Sequence, residues 1–539
     1  MKKFCELDFG YGDAANYRNS RKYKEFFSTI FVKDEKLDRL MREDTYFLIG
    51  DKGTGKTAYA VFLENNDYQN TQSKIINLGS TDYRIFMNLR KLGFLQLSDY
   101  TRVWKIILLM IMSKTITKQD ISAFGPKRSA QFETLTKNID EYYNNAFVPE
   151  ITTSFKYLFD EACSGEAGLT FNGLNLQSDL KVSASQRISD EKTLLKFQNN
   201  LLDMERKFSD AFSRLKINKN KFLFIDSIDI RVDDFSDYEY KACIQGLANA
   251  IWEINTSVFR SMPESDGFLK IVLSIRTDIF PQLSLHNQAN KVRDNSVLLD
   301  WRTTYENYRT SPLFQFCNNL LAYNNEGLSS DDYWDYYFPW STDSTNPQKR
   351  ENDDSFINCL RLSLSRPRDF VSIMKAIQGR CVKSNESSCF ESFSNNDTQN
   401  EISNYYVDEA RDWCLHSFSA DGFSTVLFFF QFLNGKSRFT YDEYKVAFKE
   451  YFQQVSDKNM EFFDQILEAD DFLQLLFDLN MICYYDTAPD GKSFFRFCYR
   501  EREIYHLEPK VKTGVSYGVH YALLKALNLG RNSYANWDD

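Results

Sequence analysis

The sequence predicts an α/β protein: a three-layer domain with a parallel central sheet and a large helical insert, followed by a helical lid and a small mixed C-terminal domain. Three observations carry this. Short, nearly continuous apolar runs at Thr45–Ile49, Lys74–Leu78, Phe222–Ile225 and Leu269–Ser274 alternate with helical stretches over residues 45–280, as expected for strands covered on both faces. Glycine and proline number only 21 and 10 in 539 residues, which favours long helices with few breaks. Beyond residue 441, two helical patterns lead into two aromatic-rich strand patterns.

Taken in order, residues 1–44 are polar and helix-prone, and 45–310 form the α/β domain. Residues 98–215 read as its helical insert, interrupted near 168–185 by an alternating pattern around Asn172-Gly173 that signals a hairpin. Residues 311–410 read as a helical lid. From 411 to 539 the pattern gives helices at 442–454 and 460–479, then strands at 481–485 and 493–499 joined through Pro489-Asp490-Gly491. Helices followed by such a hairpin resemble a winged helix.

Composition excludes several classes. The longest apolar run, Ile106–Met112, is far short of the ~20 residues that cross a bilayer. No apolar stretch follows Lys2-Lys3, so no signal peptide is expected. Ten cysteines without a CxxC pair and four histidines argue against a zinc site or a disulfide framework and point to a reducing cytoplasm. The net charge is −10, so contact with nucleic acid would need a local basic face.

Gly50-Asp51-Lys52-Gly53-Thr54-Gly55-Lys56-Thr57 is a complete GxxxxGK[ST], set between a strand pattern and a helix pattern. In that setting, backbone N–H groups turn inward around phosphates. Lys56 would reach the β- and γ-phosphates, and Thr57 would ligate Mg²⁺. These residues therefore predict a P-loop NTPase using ATP and Mg²⁺. The metal also needs a carboxylate at a strand end. Asp226, after Phe222–Ile225, is the candidate. Ser227 stands where a second acid often orients the attacking water, so Asp229 is the candidate base and slow hydrolysis is expected. Arg276, after the fourth run, would stabilise charge on the transferring phosphoryl group or pair structurally with Asp278. Arg366 and Arg368 in Ser365-Arg366-Pro367-Arg368-Asp369 could reach the nucleotide from the lid, or form a salt-bridged turn.

These residues resemble the signal-transducing ATPases called STAND, relatives of the AAA+ ATPases. Ser274-Ile275-Arg276 looks like their sensor, and Phe31-Val32-Lys33-Asp34-Glu35-Lys36-Leu37 like the segment that packs on adenine. The resemblance implies Phe31 and Val32 near the base and Arg366 and Arg368 as the lid sensor. Leu7-Asp8-Phe9-Gly10-Tyr11-Gly12-Asp13-Ala14, the phosphate loop and Phe224–Asp229 resemble bacterial FunZ-like P-loop ATPases of mobile and defence-associated loci. That implies a switch ATPase acting on a protein partner or by self-association. The alternative is a DNA-handling ATPase, a loader or transposition regulator. Residues 441–490 carry 3 Lys+Arg against 12 Asp+Glu, and residues 491–531 carry 8 against 3. Only the latter stretch offers a basic face to DNA, and no membrane contact is expected.

Overall fold

In the computed structural model, the residues described are 1–18, 21–77, 99–122, 125–145, 191–226, 237–283, 285, 288–325, 333–340, 354–384, 389–415, 418–455, 460–463, 466, 468–487, 493–503 and 506–530. The hairpin pattern near 168–185, Ser227, Asp229 and the turn Pro489–Gly491 lie outside them.

Each of the four apolar runs contributes a strand to one sheet, and a fifth strand joins them. β1 (Phe47–Ile49), β2 (Thr71–Asn77), β3 (Asn220–Asp226), β4 (Leu269–Ile275) and β5 (Ser296–Leu298) stand in the order β2-β3-β4-β1-β5. The sheet is parallel throughout. Every residue of β4 is buried, as a central strand of a covered sheet requires. Phe47 lies opposite Leu273 and Ile49 opposite Ile275, while Ile225 also lies opposite Leu273. Ile49, Asp226 and Ile275 therefore end their strands at the same edge, the carboxyl edge, where open α/β sheets bind ligands.

Packing divides the chain into two units. One comprises Met1–Asp34, Asp51–Gly55 and Leu298–Asp539; the other comprises Glu35–Gly50 and Lys56–Val297. These units follow tertiary contacts, whereas the sequence boundaries at 44/45, 310/311 and 410/411 follow composition.

The second unit holds the sheet up to Val297, with helices Lys56–Asn65, Tyr100–Thr115, Glu191–Phe212 and Asp237–Glu253. Tyr100–Thr115 is buried from Ile106 to Met112 because it packs against both Asp237–Glu253 and Glu191–Phe212. A Cβ on Gly246 would meet Tyr100 Cβ at 2.7 Å, so glycine permits the close helix crossing. Two buried polar groups tie the sheet to its surroundings. Lys270 on β4 donates from Nζ to the carbonyls of Leu40 and Arg42, capping the helix Glu35–Met41. Burial pushes its pKa well down. Asn255 accepts from Ile271 N at 3.0 Å and donates to Ile271 O at 2.8 Å, matching the β4 backbone with a side-chain amide.

The first unit is helical before it becomes mixed. Its helices include Arg21–Ile30, Pro312–Ala322, Pro367–Ser384, Asn396–Cys414 and Ala420–Phe429. The N-terminal strap Phe4–Gly12 runs along Pro367–Ser384. Gln378 Nε2 donates to Leu7 O at 2.6 Å, Lys375 Nζ to Gly10 O at 2.6 Å and Arg368 Nε to Gly12 O at 3.2 Å.

The C-terminal pattern differs from expectation in three places. The helix expected over 460–479 is two helices, Met460–Phe463 and Ala469–Asp478. Glu468 and Asp471 form a capping box that starts the second one afresh. The strand expected to reach residue 499 ends at Phe497, and Cys498–Glu501 is helical. β7 (Ile482–Thr487) and β8 (Ser493–Phe497) pair antiparallel as expected, but β6 (Arg438–Thr440) and β9 (Ser516–Val519) extend them to a sheet ordered β6-β9-β7-β8. Three- and four-residue strands carry too few alternations to be read from sequence.

Among the described residues, no helix is long and apolar enough to cross a membrane.

Candidate functional site: the glycine-rich loop and the carboxyl edge of the sheet

Gly50–Gly55 runs from β1 to the helix Lys56–Asn65. Gly53 and Gly55 have φ of +84° and +99°, the left-handed region that glycine enters without a steric penalty. Such alternation turns successive N–H groups toward one concavity.

Within the sheet unit, Gly50 N donates to Ile275 O at 3.1 Å, fixing the loop's first residue to the end of β4. Lys56 is only 8% exposed, and its Nζ donates to Gly50 O at 2.8 Å. Thr57 Oγ1 donates to Asp226 Oδ2 at 2.7 Å across 169 residues of sequence. β4 lies between the strand of the loop and the strand of Asp226. At its tip, Arg276 is buried and grips Asp278 in a fork, Nε to Oδ1 at 2.9 Å and Nη2 to Oδ2 at 2.7 Å. The structural pairing weighed for Arg276 is therefore present. The Ser274 hydroxyl, 1% exposed, has no hydrogen-bond partner among the described residues.

Within the other unit, Asp51–Gly55 is held by charge and by backbone contacts. Arg502 Nη1 donates to Asp51 Oδ1 and Oδ2 at 3.1 and 3.0 Å, with its guanidinium 4.9 Å from the Trp413 ring. Lys52 pairs with Glu409 at 3.4 Å and with Asp412. Arg366 Nη1 donates to Lys52 O at 2.7 Å, and Trp301 Nε1 donates to Thr54 O at 2.7 Å. Thr54 folds back on Asp51 O through its hydroxyl, at 2.8 Å, and its N–H, at 3.3 Å. A Cβ on Gly53 would lie 3.3 Å from Arg368 Cβ.

Arg366 is itself buried, with Asp369 and Glu409 as partners at 2.7 and 3.0 Å. Burial works against its charge, but Asp369 and then Glu409 outweigh it, so its pKa stands well above the ordinary arginine value. Burial likewise opposes the Glu409 carboxylate, yet Arg366 and then Lys52 hold its pKa below the usual one.

The structure thus brings Lys56, Thr57 and Asp226 together, and separately gathers Asp51, Lys52, Gly53 and Thr54 with Arg366 and Arg368. Phe31 follows the helix Arg21–Ile30 with its ring 6.0 Å from that of Phe27, and Val32 is buried. Sequence reasoning missed Trp301, Glu409 and Arg502. Only Arg502 left a signal, as one of eight basic residues counted toward a DNA-facing stretch. Of these, Arg502 pairs with Asp51, Arg496 with Glu501 at 3.2 Å, and Lys512 with Asp486 at 3.3 Å.

No family model matches the sequence, and no curated protein matches it.

Proposed function

We propose that this chain is a Mg²⁺-dependent P-loop ATPase that works as a regulatory switch on a protein partner or by self-association. The observation that carries the reading is the hydrogen bond between Thr57 and Asp226. A hydroxyl at the start of the loop helix and a carboxylate at a strand end are the two protein ligands that a nucleotide-bound magnesium ion takes. Their oxygens are hard donors already within bonding distance, so the donor set suits Mg²⁺.

The residues divide the work as follows. Gly53 and Gly55 allow the backbone to present N–H groups to the β-phosphate. Lys56, whose ammonium rests on Gly50 O, turns to the β- and γ-phosphate oxygens. Thr57 and Asp226 would hold the metal, whose charge would offset that of the phosphates when bound. Arg276, oriented by Asp278, adds positive charge at the adjoining strand tip, and Asp229 is the proposed base. Phe31 and Val32 as adenine contacts, the lid role of Arg368 and the defence or mobile-element setting rest on the resemblance to STAND and FunZ-like ATPases. A winged-helix reading of the C-terminal helices and hairpin rests on the order of those elements. The DNA-handling alternative asks for free basic side chains, and the pairing of Arg496, Arg502 and Lys512 favours the protein-directed switch.

The test is ATP hydrolysis and particle size, with and without duplex DNA, in the wild type, Lys56→Ala and Asp226→Ala. Turnover should fall roughly 10²–10³-fold in both variants, as for loss of a charge-stabilising group. Nucleotide should change the wild-type particle size, and DNA should leave turnover unchanged. Full binding and turnover in Lys56→Ala would remove the proposal. DNA-stimulated turnover that collapses with salt would replace the switch with the DNA-handling reading.

A further inference from the structure

We propose that Arg366 and Trp301 are positioning residues that aim the Gly53 and Gly55 N–H groups at a bound polyphosphate by anchoring the carbonyls that precede them. This inference rests on the nucleotide-binding reading above and assigns Arg366 a role through the backbone.

A trans peptide is planar, with its C=O and the next residue's N–H pointing in opposite directions. No cis peptide occurs among the described residues. The hydrogen bond from Arg366 Nη1 to Lys52 O therefore sets the direction of Gly53 N–H, and that from Trp301 Nε1 to Thr54 O sets Gly55 N–H. The Asp51 carbonyl, which accepts from both Thr54 N and Thr54 Oγ1, fixes Lys52 N–H in the same way. Unanchored glycine peptides can turn over at little steric cost. The turned-over form would present a carbonyl oxygen to an anion, replacing attraction with repulsion.

Both anchors are rigidly held. Arg366 is 2% and Trp301 6% exposed. The Arg366 guanidinium donates from Nε and Nη2 to Asp369 and from Nη1 to Lys52 O, with Glu409 as a further ion-pair partner. Asp369 is oriented in turn by Leu364 N at 2.8 Å and the Tyr405 hydroxyl at 3.0 Å. A guanidinium committed in this way orients the loop without leaving its pocket.

The experiment measures Mg-ADP and adenosine affinity, unliganded thermal unfolding and hydrogen exchange of the loop amides in three full-length proteins. These are the wild type, Trp301→Phe, which keeps a ring but loses the donor, and Arg366→Lys, which keeps the cation but shortens its reach. Each variant should bind Mg-ADP about tenfold more weakly, the size of one lost hydrogen bond to a charged or aligned partner. Adenosine affinity should stay put, and the unfolding midpoint of Trp301→Phe, lowered by the lost bond and smaller ring, should still leave the protein folded at the assay temperature. The protection that Mg-ADP gives Gly53 and Gly55 should shrink. Wild-type Mg-ADP affinity in either folded variant overturns the assignment, as does an equal loss of adenosine affinity. Absence of ADP-induced slowing at Gly53 and Gly55 in the wild type overturns it with no variant needed. A wild type that binds no Mg-ADP at all instead fails the parent reading, a distinct result.

Discussion

In the sheet unit, β4 is buried along its whole length, and beyond Lys221 its register partners on β1 and β3 are all Phe, Leu or Ile. In the other unit, residues 51–54 are fixed by Arg366, Arg502 and Glu409, with the wholly buried Asp369 behind Arg366. The first region is held by removing apolar area from water, a force without direction. The second is held by charged groups whose desolvation must be offset by close, well-aimed partners. The difference teaches where precision is needed. A strand tolerates side chains of about the right size, whereas peptide planes that must face an anion need directional bonds.

Substitution can break that contrast. Asp369→Ala should cost the most, about 3–5 kcal/mol, because it leaves the buried Arg366 charge under-compensated. Leu273→Ala in β4 should cost about 2–5 kcal/mol through the cavity it opens. Hydrogen exchange should show each loss in the amides of its own unit; a loss spread evenly over both would erase the distinction. Gly246→Ala is smaller, about 1–3 kcal/mol of overpacking against Tyr100, read as a lower midpoint in denaturant. An unchanged midpoint would mean that the two helices separate freely.

The effect that is smallest at neutral pH sharpens the comparison through acidification. His520 is buried, and burial, followed by the charge of Arg500, pushes its pKa down to about 3. An unfolded histidine ionises near ~6.5, so between these values the unfolded chain binds the extra proton and stability falls as pH drops. The slope should reach at most ~1.4 kcal/mol per pH unit. It should flatten in His520→Gln, measured by denaturant titration from pH 7 to pH 4. An unaltered slope in that variant would assign the acid sensitivity to other groups.

Four strands of the sheet were legible because each is a local run of apolar residues, and Gly50–Thr57 because its glycines and lysine are adjacent. β5, β6 and β9 were not, since three or four residues show no clear period. The partners of the loop were hidden for another reason. Trp301 reaches Thr54 across 247 residues, Arg366 reaches Lys52 across 314, and Arg502 reaches Asp51 across 451. No spacing rule links such positions. The basic stretch 491–531 shows the same limit, because a count of charges does not show that Arg496, Arg502 and Lys512 are paired.

By itself, the sequence determined the alternation of strands and helices, the glycine-rich turn after β1 and the acid that ends β3. Apolar periodicity and backbone freedom are properties of neighbouring residues. Only the tertiary structure decided that Asp226 meets Thr57, that β4 lies between their strands, and that Arg366, Trp301 and Arg502 hold the loop. A hydrogen bond acts over about 3 Å and along one direction, and those conditions exist only once distant segments have packed.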